Sequence, residues 1–91
     1  MNSDTAHERL VLRDLFDAAL AQTGLDGSFR VSEPHIRERI RWDSAGGIPT
    51  IRVLTRDGED LLVDDGRPAT MRDLLEDLAA DPQLRGLLRR F

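Results

Sequence analysis

Apolar residues recur along this chain with changing rhythm, and the rhythm divides it into three parts. In the first, Leu12, Leu15, Phe16 and Ala19 repeat at three- and four-residue steps, the stripe of an amphipathic helix. Thr5-Ala6-His7-Glu8 has the spacing of a capping box, with Thr5 at the cap and Glu8 reaching back to its amide. Arg9, Arg13, Asp14 and Asp17 fall largely off the stripe, and Arg13 stands one turn from Asp17, where the two can pair. Gly24 is suited to the left-handed conformation that stops a helix.

The second part alternates. Leu25-Asp26-Gly27-Ser28 reads as a turn and Phe29-Arg30-Val31 as a short strand. Ile36, Glu38, Ile40 and Trp42 then alternate with His35, Arg37, Arg39 and Arg41, a strand period. A helix competes with that reading, because Ser32-Glu33-Pro34-His35 can cap one and Ile36 and Ile40 lie one turn apart. The loop chemistry of Asp43-Ser44-Ala45-Gly46-Gly47 favours a strand over 36–42, followed by a β-branched strand from Ile48 to Thr55. Arg56-Asp57-Gly58-Glu59 is a second tight turn, and residues 60–64 a third strand.

Helical rhythm returns in the last part. Thr70 caps a helix whose Met71, Leu74, Leu75 and Leu78 share one face, with Asp73 placed to favour its N-terminus. Asp81-Pro82 stops that helix, and Leu84, Leu87, Leu88 and Phe91 repeat the pattern 13 residues on. In a continuous helix at about 100° per residue the second stripe would point roughly 140° away from the first. A bend at Asp81-Pro82 lets both face one side. The expected fold is a single α+β domain over residues 1–91: an N-terminal helix, a three-stranded antiparallel meander and a C-terminal helical hairpin on one sheet face.

Composition narrows the function. The chain has 91 residues and no cysteine, which leaves one small domain and removes disulfides and thiolate metal sites. Its apolar runs are too short to span a membrane and its acidic N-terminal stretch is unlike a signal peptide, so a soluble cytoplasmic protein is expected. All 13 basic residues are arginine, which leaves no lysine for a Schiff base or a Walker-type phosphate loop. His7 and His35 belong to different elements, no serine sits in a nucleophile elbow, and the Asp57, Glu59, Asp60, Asp64, Asp65 cluster lacks EF-hand spacing. Neither a catalytic site, a metal site nor a cofactor is expected.

Charge is segregated. Residues 1–29 carry net −3, residues 30–56 net +3 and residues 57–91 net −4. If 36–42 is a strand, His35, Arg37, Arg39 and Arg41 share a face that Arg52 and Arg56 can extend, a candidate anion-binding surface for nucleic acid. The acidic total, the lack of tyrosine and the scattered aromatics weigh against it. The carboxylates of residues 57–81 offer the opposite reading, mimicry of nucleic acid toward a basic protein. Trp42 either anchors the core or, if exposed, serves as a binding hot spot. The terminal stripe either completes the core or forms a partner or self-association surface of Leu84, Leu87, Leu88, Arg89, Arg90 and Phe91. The functional expectation is a non-enzymatic protein-binding module, an adaptor or inhibitor, acting through that stripe.

From Leu62 onward, the Gly66-Arg67-Pro68 turn, the short helix after Thr70, Asp81-Pro82 and the terminal Phe91 resemble the tails of small bacteriophage-encoded proteins. That resemblance implies a phage or mobile-element accessory protein that works by binding.

Overall fold

A computed structural model describes residues 3–43, 50–64, 66–84 and 86–90, with residues 3–5 and 90 described in their backbone alone. Helix α1 spans Ser3–Thr23 and buries Leu12, Phe16 and Ala19. It begins ahead of Thr5, which therefore lies inside the helix and does not cap it. Its end is as the sequence predicts: Gly24 takes φ +73° and donates to the Leu20 carbonyl at 3.1 Å. The ion pair described on α1 runs to another element, from Arg9 to Glu33 at 3.3 Å, and not along the helix from Arg13 to Asp17.

The largest departure lies between residues 28 and 42. Phe29–Arg37 forms helix α2, where a strand was expected at both of its ends. Its cap is Ser28, whose extended backbone lets the hydroxyl accept from the Val31 amide at 3.4 Å. Phe29, Ser32 and Ile36 are its buried face. The apparent alternation of Ile36, Ile40 and Trp42 comes from two elements in succession, a helix and then strand β2, Ile40–Asp43. A tight turn joins them, in which the Arg39 amide donates to the Ile36 carbonyl at 2.9 Å.

The expected meander is replaced by three separate antiparallel pairs. β2 pairs with β3, Thr50–Val53, in the register Ile40↔Val53, Arg41↔Arg52, Trp42↔Ile51 and Asp43↔Thr50. β4, Leu62–Val63, pairs with β5, Arg67–Pro68, and β1, Leu25–Asp26, pairs with β6, Arg89–Arg90. The segment after Glu59 touches β3 only briefly, through a Leu54↔Asp60 bridge and the Leu61 amide on the Val53 carbonyl at 2.9 Å. Asp64, at φ +50°, then reverses the chain and gives β4 a partner of its own. The Ser44–Gly47 loop of the sequence reading lies outside the described residues.

Helix α3 spans Met71–Ala80 and buries Met71, Leu74, Leu75 and Leu78, the face the sequence predicts. At its start the Asp73 carboxylate accepts the Thr70 amide at 2.8 Å and the Thr70 hydroxyl at 3.0 Å. The amide bond chiefly holds the Asp73 carboxyl below its ordinary value of 3.8, against an opposing desolvation; the hydroxyl, Arg67 and Arg72 add to the lowering. Asp81 is extended, as a residue before proline prefers, and ends the helix. Among the described residues no second α-helix follows. Pro82–Leu84 makes one 3-10 turn, and the chain then enters β6, because Pro82 and Gly86 leave too few residues between them to propagate a helix.

The bend does what the offset of the two stripes requires, although the second half is not helical. Leu88 is buried in the same core as Leu12, Phe16, Leu25, Ile36, Leu74 and Leu75, and Leu84 and Leu87 pack half-buried against it. The rings of Phe16 and Phe29 meet edge to face at 5.5 Å within that core. Gly27 permits the closure, since a Cβ there would stand 2.6 Å from Leu88 Cδ2 and 2.9 Å from the Leu87 carbonyl oxygen. The second contact is with backbone, which cannot rotate aside.

Gly27→Ala therefore pushes the C-terminal segment off the core and lowers stability by about 1–3 kcal/mol. Urea denaturation together with faster amide exchange in β1 and β6 reads this out; unchanged stability and exchange would refute the close approach. Because the Asp73 carboxyl is lowered in the folded state, its stabilisation is complete above the ordinary carboxylate pKa and fades as pH falls through the lower folded value. In acid, Asp73→Asn flattens the decline of stability with pH relative to the parent chain, as measured by thermal melts across that range.

Candidate functional site

Each surface nominated by the sequence meets a different fate. In the terminal stripe, Leu88 is 7% exposed and belongs to the core, which corrects its assignment to a partner surface. Leu84 and Leu87 are half-buried, Arg89 is exposed on β6, and the Arg90 backbone pairs with Leu25. Phe91 lies outside the described residues. Inward packing of Leu88 prevents the stripe from presenting itself as one outward face.

The arginines do not form a single face either. Arg37, on α2, is held by Glu33 through Nε at 3.0 Å and Nη2 at 2.9 Å. Arg39 sits in the turn between α2 and β2 and is 8% exposed, its Nε donating to the Leu54 carbonyl at 2.7 Å and its Nη2 to Asp77 at 2.8 Å. Arg56 pairs with Asp81. Only Arg41 and Arg52 stand side by side, directly opposite each other on the outward face of the β2–β3 hairpin. Arg41 reaches Asp60 at 3.2 Å, and Arg52 lies 4.0 Å from Asp43. His35 is on α2 and lines a mixed cleft with Glu38, Arg39, Arg56, Asp81 and Gln83 beside Leu78 and Leu84, in which both arginines already have carboxylate partners.

Local electrostatics explain this dispersal. Helix α3 has no basic residue in its last turn, yet carries Asp77 inside that end and Asp81 just beyond it. Carboxylates at a helix C-terminus are unfavourable beside its exposed carbonyls. Arg39 and Arg56, from the segment that carries net +3, supply the missing positive charge. Asp60, Asp73, Asp77 and Asp81 are occupied in turn, so the acidic run of residues 57–81 does not project as a row of unanswered charges. His7 and His35 lie on separate helices, and no group of three or more His, Asp or Glu among the described residues is placed to hold a metal ion.

A different surface remains. Val11 and Leu15 of α1, Ile51 of β3 and the Pro68-Ala69-Thr70-Met71 run line an open groove with Thr50, and none of these eight side chains ionises. The groove continues along α1 past Ala18 and Gln22, where Arg72 joins its lining. Leu15 is 37% exposed, where the sequence had counted it with the core. The core side of α1 is centred on Leu12, Phe16 and Ala19, and Leu15 lies at its margin. The signal was present in the spacing of Val11, Leu15, Ala18 and Gln22, a second stripe beside the first. Trp42 is half-buried on the inward face of the hairpin with Ile40, Ile51 and Val53, packed against the core.

No helix among the described residues is long and apolar enough to cross a membrane. No family model matches the chain, and no curated protein or solved structure is significantly similar to it.

The two kinds of arginine separate by mutation. Arg39→Ala strips a half-buried carbonyl of its charged donor and costs about 1.5–3 kcal/mol, whereas Arg41→Ala removes an exposed pair and costs less than about 1 kcal/mol. Chemical denaturation of both variants checks this, and equal losses would contradict the buried role of Arg39.

Proposed function

We propose that this chain is a non-enzymatic protein-binding module, an adaptor or inhibitor, that seats the apolar face of a partner's helix in the groove beside α1. One observation carries the reading: in a chain that is 33% charged, the wall formed by Val11, Leu15, Thr50, Ile51, Pro68, Ala69, Thr70 and Met71 holds no ionisable group. Charge is depleted at the centres of protein interfaces, where desolvating it is costly. The wall without ionisable groups runs from Val11 to Leu15, about 6 Å of helix, and its continuation to Gln22, bordered by Arg72, brings the length to about 16 Å, room for the anchors that helix-in-groove recognition uses at three- and four-residue spacing. The nucleic-acid alternative through the central arginines is weaker, because a phosphate would compete there with the carboxylates that already pair with Arg37, Arg39, Arg41 and Arg56.

Leu15→Glu places a charge in the groove at a partly exposed position and leaves the melting temperature close to that of the parent. Tagged parent and variant chains are used to capture proteins from host lysate treated with nuclease. A discrete protein held by the parent and weakened about tenfold or more by Leu15→Glu supports the groove. Equal retention by both chains rejects it, and partners lost on nuclease treatment return the reading to the arginines.

A further inference from the structure

We infer that two copies of this chain pair through the outer edge of β2, antiparallel and centred on Trp42. This surface is distinct from the groove and does not rest on it.

Hydrogen-bond parity within the hairpin identifies the edge. The Leu54 amide donates to the Arg39 carbonyl at 2.6 Å, so residues 39 and 54 are a hydrogen-bonded pair. Such pairs alternate along an antiparallel ladder, and the next are Arg41↔Arg52 and Asp43↔Thr50. The N–H and C=O of Ile40 and Trp42 therefore point away from β3. The other strand obeys the same parity, since the Val53 carbonyl points away from β2 and accepts the Leu61 amide at 2.9 Å. The outer side of β3 is met by Leu61 at Val53, and among the described residues no strand pairs with the outer side of β2. The register runs one to one through four pairs with neither a bulge nor a proline within β2, a short strand whose charges are Arg41 and Asp43.

Charge selects both the occupant and the register. In a two-fold pairing, the bonded pairs across the new edge must join outward-pointing residues, Ile40 or Trp42. With Trp42 opposite Trp42 of the second copy, Arg41 faces Asp43 of the second copy, and the symmetry repeats that contact. These are non-hydrogen-bonded positions, where cross-strand side chains approach most closely. Sliding to Ile40 opposite Trp42 puts Arg41 against Arg41, which is repulsive. Arg41, directly opposite Arg52 and already 3.2 Å from Asp60 in the single chain, gains a second carboxylate neighbour in this register. On the inward face, the two half-buried Trp42 rings become neighbours and cover each other. The product is a four-stranded sheet ordered β3-β2-β2-β3.

Sedimentation velocity of the full chain from micromolar to about 1 mM tests the pairing. Dimer is expected in the parent, with about tenfold or greater weakening in Arg41→Asp and in Asp43→Arg, and recovery in the double variant that exchanges the two charges. Amide exchange of the unmutated chain decides independently, should a variant fail to fold. The Trp42 amide slows with increasing protein concentration, while the Arg41 amide, already bonded to Arg52, does not change. Monomer throughout, absence of recovery in the double variant, or Trp42 exchange independent of concentration would overturn the inference. Dimerisation abolished by Leu15→Glu with no change at Trp42 would place self-association in the groove instead.

Discussion

A buried guanidinium stands at the junction of this fold. Taking the charge of Arg39 out of water costs several kcal/mol unless its donors are met, and they are met by two elements at once. Nε bonds the Leu54 carbonyl, Nη2 bonds Asp77 of α3, and the Arg39 main chain bonds Leu54 again from the other side. One residue thereby fixes where α2 stops, where the β2–β3 ladder begins, and how the hairpin stands against α3. The inward face of the hairpin, with Ile40, Trp42, Ile51 and Val53, follows from that placement, because the ladder parity set at Arg39 and Leu54 decides which side chains meet the core.

The uneven charge of the sequence takes on meaning from the same junction. A segment of net +3 between two acidic ones suggests a surface aimed at an external anion. In the folded chain, Asp77 and Asp81 gather at the end of α3 that has no cation of its own, and Arg39 and Arg56 answer them. Charge segregated along the chain becomes charge compensated in space. A binding surface in such a molecule is marked less by accumulated charge than by its removal. The groove beside α1 has that character.

Elements held by local chemistry were legible in the sequence. The α1 stripe with its Gly24 stop, the α3 face behind Thr70 and Asp73, and the break at Asp81-Pro82 all rest on interactions within about one helical turn. Helix α2 was not legible, because Ser28 and Ser32 are equally good caps as residue types, and Ile36, Ile40 and Trp42 point inward from two different elements. The terminal stripe was readable as an apolar pattern, but its direction was not. That direction depends on Gly27, sixty residues away, whose missing side chain makes room for Leu88. The candidate site was hidden for a related reason. Leu15 belongs by spacing to the core stripe, and only the crossing of α1 over its neighbours shows that the stripe has a margin.

The two open surfaces lie on opposite sides of one hairpin. Ile51 lines the groove, and its cross-strand neighbour Trp42 carries the unpaired edge. A two-stranded ribbon is marginal by itself, and this one is held by Arg39 at one end and by the packing of Ile40, Trp42, Ile51 and Val53 on the core. The pairing inferred across β2 would make that strand the inner part of a four-stranded sheet, with Trp42 joining the new strand on one side and Ile51 on the other.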